Sequence, residues 1–289
     1  MTAVRPAAVA GLFYPARRRD LAEAVHDLLA HARSAGAPQP PSPPKAIIAP
    51  HAGYVYSGPI AASAYARLAP LAESVSRVVL IGPAHRVPVQ GLCVPQVEAF
   101  ETPLGPVPLD HEAIAALLEL PQVRIWDAPH AEEHALEVHL PFLQTVLRRF
   151  RVIPLLAGDA APEVIATILE RLWGGPETLI VVSSDLSHYL DYATAQQLDA
   201  ATCASIEALD AAALRWEQAC GRVPVSGLLT LARRRGLAVA TLDLRNSGDT
   251  AGDRRRVVGY GAWAFFEPPA APQGDHGGAG MSGSDDGGR

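Results

Sequence analysis

The fold of this chain is constrained most by three apolar, β-branched segments. Each of them runs directly into a polar loop that contains a histidine. The segments cover residues 46–49, 77–81 and 178–182, and the loops behind them contain His51, His85 and His188. Runs of this composition indicate buried strands. Ligands of open α/β sheets bind at the carboxyl ends of the strands. We therefore expect the three loops to meet, and because neutral imidazole is the commonest metal ligand, we expect them to meet around a metal ion.

Helical patterns separate the predicted strands along most of the chain, for example over residues 17–33 and 162–172. Strands that alternate with helices predict one α/β domain, residues 1–266, with a mostly parallel sheet and helices on both faces. A hairpin-like excursion within residues 86–109 and a final strand at 257–265 predict that the sheet is mixed. Further helices are expected over residues 58–69, 135–148 and 210–218.

Two segments are expected to lie outside the regular elements. Five prolines between Pro38 and Pro44 predict a stiff connector over residues 36–44. From Glu267 onwards Pro, Gly, Ser and Asp dominate, so residues 267–289 are expected to form a disordered tail.

Composition limits the classes of function. The 289 residues are 49% hydrophobic, enough for a sizeable core, and their net charge of −6 disfavours a nucleic-acid binder. No apolar run approaches 18 residues, so no membrane span is expected, and the N-terminus does not have the pattern of a signal peptide. The three cysteines include no Cys-x-x-Cys pair, which argues against a disulfide framework or a zinc ribbon. A reducing, cytoplasmic location fits best.

The loop after the third segment contains Asp185 and His188, three residues apart. In a helical turn such residues share a face, so both are candidates for one site. The structural alternative is that Asp185 caps a following helix. His51 or His85 alone would more often have a structural role, and their matching positions after strands make metal binding an equal alternative. Gly53 would let the backbone turn sharply beside His51.

A second group of polar residues lies between residues 129 and 139. His134 and Glu137 form a His-x-x-Glu pair, the reverse of the Glu-x-x-His order of carboxylate-bridged metal sites. We expect these two residues to line the pocket or to support its ligands. We expect His130 and His139 to lie at the surface.

Cys220 precedes Gly221 and a predicted helix over residues 224–235. A buried thiol is usually an inert part of the core. A tight loop next to a helix N-terminus would instead favour the thiolate. Cys93 and Cys203 lie inside a predicted strand and a predicted helix, and we expect both in the core.

Six segments in this order resemble the Memo family, whose bacterial and archaeal members are called AmmeMemoRadiSam system protein B. The resemblance covers about residues 4–266, and the segments are Gly11–Pro15, Pro50–Gly58, Gly82–His85, Glu133–Leu143, Ser183–Tyr189 and Cys220–Gly221.

The resemblance implies a fold similar to the catalytic subunit of class III extradiol dioxygenases, which hold Fe(II) with two histidines and a glutamate. It places His51 and His85 at the histidine ligands and Cys220 where the carboxylate would be, with Asp185 and His188 in the same pocket. The family is associated with iron or copper at this set. A thiolate is softer than a carboxylate and favours different metals, so ring cleavage does not follow from the fold.

Several functions stay open at this point. In the first, His51, His85 and Cys220 bind Fe(II) or copper in an oxidoreductase, while His188 moves protons and Asp185 orients it or joins the coordination. In the second, a non-catalytic adaptor uses the same pocket to recognise a peptide or partner protein. The family name implies partnership with radical SAM and AMMECR1-like proteins and a role in modifying an unidentified small molecule, protein or RNA. A metallohydrolase is chemically open as well.

Overall fold

The buried, β-branched segments form the centre of one large sheet in the computed structural model, which describes residues 3–34 and 42–269. Within these residues the strands are β1 Val4–Arg5, β2 Ala46–Ala49, β3 Arg77–Pro83, β4 Leu92–Val94, β5 Ala99–Phe100, β6 Val107–Pro108, β7 Val123–Ile125, β8 Arg151–Ala157, β9 Thr178–Ser183, β10 His188–Leu190, β11 Ala238–Asn246 and β12 Val257–Phe266. The helices are α1 Arg18–Ser34, α2 Tyr54–Tyr65, α3 His111–Leu117, α4 Asp127–Ala131, α5 Leu140–Val146, α6 Pro162–Arg171, α7 Tyr192–Glu207 and α8 Arg222–Arg235. Short 3-10 turns lie at Ala66–Leu71, Glu137–His139, Ala211–Ala213 and Ser247–Asp249.

The large sheet has the strand order β10-β12-β2-β9-β3-β8-β4-β7, and β11 pairs with β12. Its four central strands β2, β9, β3 and β8 are parallel, whereas β12 runs antiparallel to β2 and β4 runs antiparallel to β8. Every residue of β2 and β9 is buried, as expected of strands covered on both faces. Each fully buried Val, Leu or Ile side chain contributes roughly 1.5–3 kcal/mol. The prediction of a mixed, mostly parallel α/β sheet is confirmed.

The helices α1, α2 and α5 pack against one another, α6 packs against α8, and α7 packs on β11 and β12. The helix α1 buries Leu21, Val25 and Leu29, which recur every four residues and so form one apolar stripe. The helices α6 and α8 approach closely at Gly227, where an added Cβ would lie 2.2 Å from a side-chain carbon of Ile165. A glycine is therefore required at this crossing.

Three predicted helices have different bounds in the structure. The helix expected at 58–69 begins earlier, at Tyr54, where the Phe13 carbonyl accepts the Tyr54 N–H at 2.7 Å. The sharp turn expected at Gly53 is not present, because its φ of −56° and ψ of 142° are open to any residue. The helix expected at 135–148 begins only at Leu140, after the turn Glu137–His139. The helix expected at 210–218 is wrong beyond Ala213, since the next residue is already extended.

Two of the predicted irregular segments lie largely beyond the described residues. These are the connector, for residues 36–41, and the tail, from residue 270 onwards. Within the described ranges, no helix has both the length and the apolar character needed to cross a membrane.

Candidate metal centre

The sheet topology brings the three predicted histidine loops to one edge. The strands β2, β9 and β3 are adjacent and parallel, with β9 in the middle, so their carboxyl ends lie side by side. His51 follows β2, His85 follows β3, and Asp185 follows β9. The loops after these strands therefore lie at one edge of the sheet as expected, but the third loop brings Asp185 to His51, and His188 lies outside the histidine cluster.

His51, His85 and His134 form a compact cluster. One imidazole nitrogen from each lies within 4.8 Å of the other two. The rings of His85 and His134 are stacked with centroids 4.9 Å apart, and His51 meets them edge-on at 5.2 and 5.4 Å. His51 is buried, His134 is half-buried and His85 is exposed, so the cluster opens to solvent beside His85.

Glu133 supports two of these imidazoles from behind. Its buried carboxylate accepts the backbone N–H of His85 at 2.6 Å and lies 2.9 Å from His85 Nδ1. The same carboxylate accepts the N–H of His134 at 2.9 Å and lies 3.2 Å from His134 Nδ1. Burial raises the pKa of Glu133, but hydrogen bonds from His134 and His85 outweigh burial and hold it far below its usual range. An ionised Glu133 therefore turns both Nδ1 atoms towards itself and leaves both Nε2 atoms free.

His51 is held in a different way, because its Nδ1 lies 2.6 Å from the hydroxyl of Ser183. Its Nε2 lies 3.3 Å from Cys220 Sγ. Burial lowers the pKa of His51 well below its usual value, and the neighbouring imidazoles of His85 and His134 lower it further. The ring is therefore neutral at neutral pH, the form in which imidazole binds metals.

Asp185 joins His51 to the Cys220 loop. Its Oδ1 accepts the backbone N–H of His51 at 2.7 Å, and its own N–H points at Cys220 Sγ at 3.3 Å. Burial raises the pKa of Asp185, while the hydrogen bond from His51 opposes this. The predicted helical turn linking Asp185 to His188 does not form, because His188 instead begins β10.

Cys220 lies directly before α8, with Gly221 as the N-cap. Burial raises the pKa of its thiol, and the adjacent Asp185 carboxylate raises it further. The loop before a helix N-terminus is present as expected, but this position does not favour the thiolate. In a low-dielectric site beside another acid, desolvation of the sulfur outweighs the helix dipole.

His188 is exposed at the edge of the site. Its Nδ1 lies 2.8 Å from the Leu186 carbonyl oxygen, which can only accept a hydrogen bond. The Nδ1 atom therefore carries the proton and Nε2 is left as the basic nitrogen. The Leu186 carbonyl, rather than the Asp185 carboxylate, thus orients His188.

The N-terminal arm forms one wall of the site. The buried carboxylate of Glu137 accepts hydrogen bonds from Arg5 at 2.6 Å and from the N–H groups of Ala8 and Val9 at 2.8 and 3.0 Å. The arm then places Phe13 against His134, with ring centroids 4.8 Å apart. The expectation that Glu137 supports the pocket thus agrees with its contacts.

His130 and His139 are buried, so the expectation that they lie at the surface is wrong. His130 lies beneath the arm, with its Nε2 3.1 Å from the carbonyl oxygen of Cys93. His139 ends the 3-10 turn that passes under the strand ends, where its ring lies between Tyr65 and Ser183. Both rings find buried polar partners, which the spacing of residues in one segment cannot reveal. Cys93 and Cys203 are buried as expected.

The sequence interpretation missed Glu133, Ser183 and Tyr65 as residues of this site. The Glu133-His134 dipeptide was a local signal, because a carboxylate next to a ligand histidine is a common support. Ser183 offered a weaker signal as the polar last residue of an apolar strand. Tyr65 lies in α2, far along the chain, and no local pattern connects it to His139.

The residues present fit a bound transition metal. Three imidazoles converge, their Nδ1 atoms are directed at Glu133 or Ser183, and a thiol lies beside His51. The Nδ1 of His134 is buried without a hydrogen-bond partner, although it lies 3.2 Å from the Glu133 carboxylate. Imidazole suits iron, copper and zinc alike, and a thiolate adds preference for softer ions.

A cleft of about 1050 Å³ lies away from this cluster. It is lined by Arg77 and Arg151, the first residues of β3 and β8, and therefore lies at the amino edge of the parallel strands. The histidines lie at the opposite, carboxyl edge. The histidine cluster and this cleft are thus separate features.

Comparison with known proteins agrees with this architecture. A sequence model of the family described as Memo-like protein matches residues 5–264. A protein of Aquifex aeolicus named MEMO1 family protein is 36% identical over 277 residues, covering 91% of this chain and 99% of its own. Proteins with the same name from Ignicoccus hospitalis and Thermotoga maritima are 36% and 35% identical, covering 92% and 89% of this chain and 99% and 97% of their own. The chain therefore belongs to the Memo family.

Proposed function

We propose that this chain is a metal-binding protein of oxidoreductase type, with Fe(II) or copper held between His51 and His85. The observation that carries the proposal is the convergence of three imidazole nitrogens within 4.8 Å of one another. Because His51 is buried and His85 is exposed, a substrate could approach the metal from the side of His85.

Two residues compete for the third ligand position. His134 belongs to the compact cluster, whereas Cys220 Sγ lies 3.3 Å from His51 Nε2. The set of His51, His85 and Cys220 stays a prediction from the family resemblance, and His134 is the additional donor that the geometry supports.

The bound metal would supply redox chemistry and open positions for O₂ or a small molecule. The chain itself supplies a proton acceptor in His188, whose free Nε2 faces solvent at the edge of the site. Asp185 positions the His51 backbone and the Cys220 loop. Glu133 keeps the His85 and His134 rings turned with Nε2 outwards.

Metal quantification on protein purified without oxygen tests the proposal. We expect about one equivalent of iron or copper, with a spectrum that identifies the ion, and loss of that metal in the double variant His51→Ala, Cys220→Ser. The matched control is His26→Ala, Cys203→Ser, which removes an exposed histidine of α1 and a helix cysteine. Full metal content in the first double variant would overturn the proposal.

Single variants then separate the two donor sets. If Cys220 is the third ligand, Cys220→Ser lowers metal affinity more than His134→Ala does. If His134 is the third ligand, the order is reversed. Zinc as the only bound metal would point away from redox chemistry and towards a hydrolase.

A second function is supported by exposed apolar residues near the site. Leu12, Tyr56, Tyr189 and Trp216 are between 41% and 80% exposed. Each lies within five residues along the chain of a residue of the site or its wall, namely Phe13, His51, His188 and Cys220. Exposed apolar groups beside a pocket are typical of binding surfaces. A non-catalytic adaptor that recognises a peptide or partner protein would use these side chains.

Turnover and binding distinguish the two functions. Consumption of O₂ with members of a catechol panel, lost in His188→Gln, would favour the oxidoreductase. Absence of turnover, together with a partner affinity that Trp216→Ala or Tyr189→Ala abolishes, would favour the adaptor. Location in the cytoplasm remains a proposal from the cysteine pattern. Partnership with radical SAM and AMMECR1-like proteins remains a proposal from the resemblance.

A further inference from the structure

Four side chains and one carbonyl group form a buried hydrogen-bond chain behind His51. The Ser183 hydroxyl lies at its centre, 2.6 Å from His51 Nδ1, 2.8 Å from His139 Nε2 and 2.6 Å from the Ala135 carbonyl oxygen. His139 Nδ1 in turn lies 2.8 Å from the hydroxyl of Tyr65. All of these side chains are buried, so water does not complete their hydrogen bonds.

Counting protons gives a single assignment. The Ala135 carbonyl has no proton, and two oxygens 2.6 Å apart need one between them, so the Ser183 hydroxyl donates to Ala135. A hydroxyl has one proton and two lone pairs, so both of its remaining partners must donate to it. His51 therefore carries its proton on Nδ1, and His139 carries its proton on Nε2.

The far end of the hydrogen-bond chain, where His139 meets Tyr65, agrees with this assignment. Burial lowers the pKa of His139 to about 3, so its ring is neutral and its Nδ1 has a lone pair. The Tyr65 hydroxyl fills that lone pair as a donor. Every donor and acceptor in the chain is then satisfied once, and no second arrangement satisfies all of them.

We propose that Ser183, His139 and Tyr65 are positioning residues that fix His51 as the Nδ1–H tautomer and so present its Nε2 lone pair to the metal centre. This is a different device from the one that serves His85 and His134. Those rings face the ionised carboxylate of Glu133, whereas the buried ring of His51 is fixed by a neutral network. A neutral acceptor adds no negative charge near the buried Asp185 carboxyl group, which lies 4.0 Å from the same ring.

The proposal rests on the proposed metal site, but it can be tested without metal. Protein labelled with ¹⁵N-histidine and stripped of metal by a chelator is studied by long-range ¹⁵N–¹H correlation NMR at neutral pH. The ¹⁵N shift distinguishes a protonated nitrogen from an unprotonated one, and His51→Gln and His139→Gln assign the signals. We expect protonated Nδ1 and unprotonated Nε2 in His51, and the opposite in His139. A protonated Nε2 in His51, or a mixture of tautomers, would overturn the proposal.

Variants test whether the buried hydrogen-bond chain fixes the His51 tautomer. Ser183→Ala should give mixed tautomers at His51 and weaken Fe(II) or Cu(I) binding by about 10- to 100-fold, as for other supporting partners of ligand histidines. The control Ser226→Ala removes another buried hydroxyl, one without a hydrogen-bond partner, and should change neither readout. An unchanged His51 tautomer in Ser183→Ala would overturn the proposal.

A more conservative variant tests the same hydrogen-bond chain if Ser183→Ala does not fold. Tyr65→Phe removes only the terminal hydroxyl and keeps the ring stacked on Phe142, at 4.8 Å between centroids. We expect His139 to keep its proton on Nε2, because the Ser183 hydroxyl still needs that donor, and the ¹⁵N shift of Nδ1 to change, because its lone pair loses the hydrogen bond from Tyr65. An unchanged Nδ1 shift, or a proton moved to Nδ1, would contradict the proposal.

The outcomes also separate this proposal from the proposed function. If the stripped protein shows the expected tautomers but takes up neither Fe(II) nor Cu(I), the tautomer proposal stands and the proposed metal function fails. If metal binds although the stripped protein carries the proton on His51 Nε2, the proposed metal function stands and the tautomer proposal fails.

Discussion

Glu133 receives two hydrogen bonds from His85, one from the backbone N–H at 2.6 Å and one from Nδ1 at 2.9 Å. The carboxylate therefore fixes both the loop and the ring. We predict that Glu133→Gln weakens metal binding by about 10- to 100-fold, because a neutral amide is a poorer acceptor and one of its two positions is a donor. Anaerobic titration against a chromophoric competitor measures this loss.

The neighbouring carboxylate supplies the control for that experiment. Glu132 is exposed, so Glu132→Gln changes the charge by the same amount without touching the cluster. If both variants bound the metal equally well, Glu133 would have no role in holding His85.

His188 is predicted to be dispensable for metal uptake. The residue is exposed, and its Nδ1 is directed at the Leu186 carbonyl rather than at the cluster. We expect His188→Gln to keep the metal stoichiometry of the wild type, whereas His51→Gln loses it. Elemental analysis of the two variants checks this, and metal loss in His188→Gln would make His188 a ligand instead of a proton acceptor.

The buried pair of Arg5 and Glu137 is predicted to dominate the stability of the N-terminal arm. The two charged atoms are 2.6 Å apart, and both side chains are almost completely buried. Glu137→Gln leaves the Arg5 charge without its partner, so we expect a loss of about 3–5 kcal/mol in the free energy of unfolding. Denaturation in urea measures the loss.

An exposed pair serves as the comparison. Arg148 and Glu73 are 2.7 Å apart, but both side chains are more than 70% exposed. Glu73→Gln should therefore cost about 0–1 kcal/mol. Equal losses in Glu73→Gln and Glu137→Gln would mean that burial does not set the value of these pairs.

The sequence was sufficient to place the ligand loops but not the residues behind them. Buried strands have a strong local pattern, and parallel topology then brings the loops after β2, β3 and β9 together whatever the details. His51, His85 and Asp185 could therefore be predicted to meet. Their partners come from distant segments, as His139 and Tyr65 do, and local spacing carries no information on such contacts.

Besides contacts between distant segments, the burial of polar side chains could not be predicted from the sequence. His139 and His130 lie in a segment rich in Glu and His, which resembles a solvated loop. The structure passes that segment under the strand ends and the N-terminal arm, where each ring finds a polar partner. Polar residues bury readily when their hydrogen bonds are satisfied, and this depends on tertiary contacts.

Gly221 is predicted to tolerate no side chain. An added Cβ would lie 2.5 Å from the Ser183 carbonyl oxygen and 2.6 Å from Ser184 Cβ, so backbone must move. We expect Gly221→Ala to destabilise the protein by about 1–3 kcal/mol and to weaken metal binding if Cys220 is a ligand. Thermal unfolding and metal titration measure the two effects.

Gly175 provides the matched control for the backbone clash. A Cβ there would meet only the flexible carboxylate of Glu177, at 2.7 Å, which can rotate away. Gly175→Ala should therefore cost little. A stable Gly221→Ala variant with unchanged metal affinity would show that the Cys220 loop can shift without consequence.

Buried His130 is predicted to make the protein acid-labile. Burial lowers its pKa to about 4, whereas the unfolded chain has the ordinary histidine value near 6.5. Between these values the unfolded state binds a proton that the folded state does not, so stability falls as the pH falls. From pH 7 to pH 4 this group alone should remove about 3 kcal/mol from the free energy of unfolding. In His130→Gln, which cannot titrate but can still donate to the Cys93 carbonyl, the loss between these pH values should be smaller by that amount in urea denaturation. Replacing the exposed His26 by Gln should leave the wild-type slope intact, and a His130→Gln slope equal to that of the wild type would mean that His130 is protonated equally in both states.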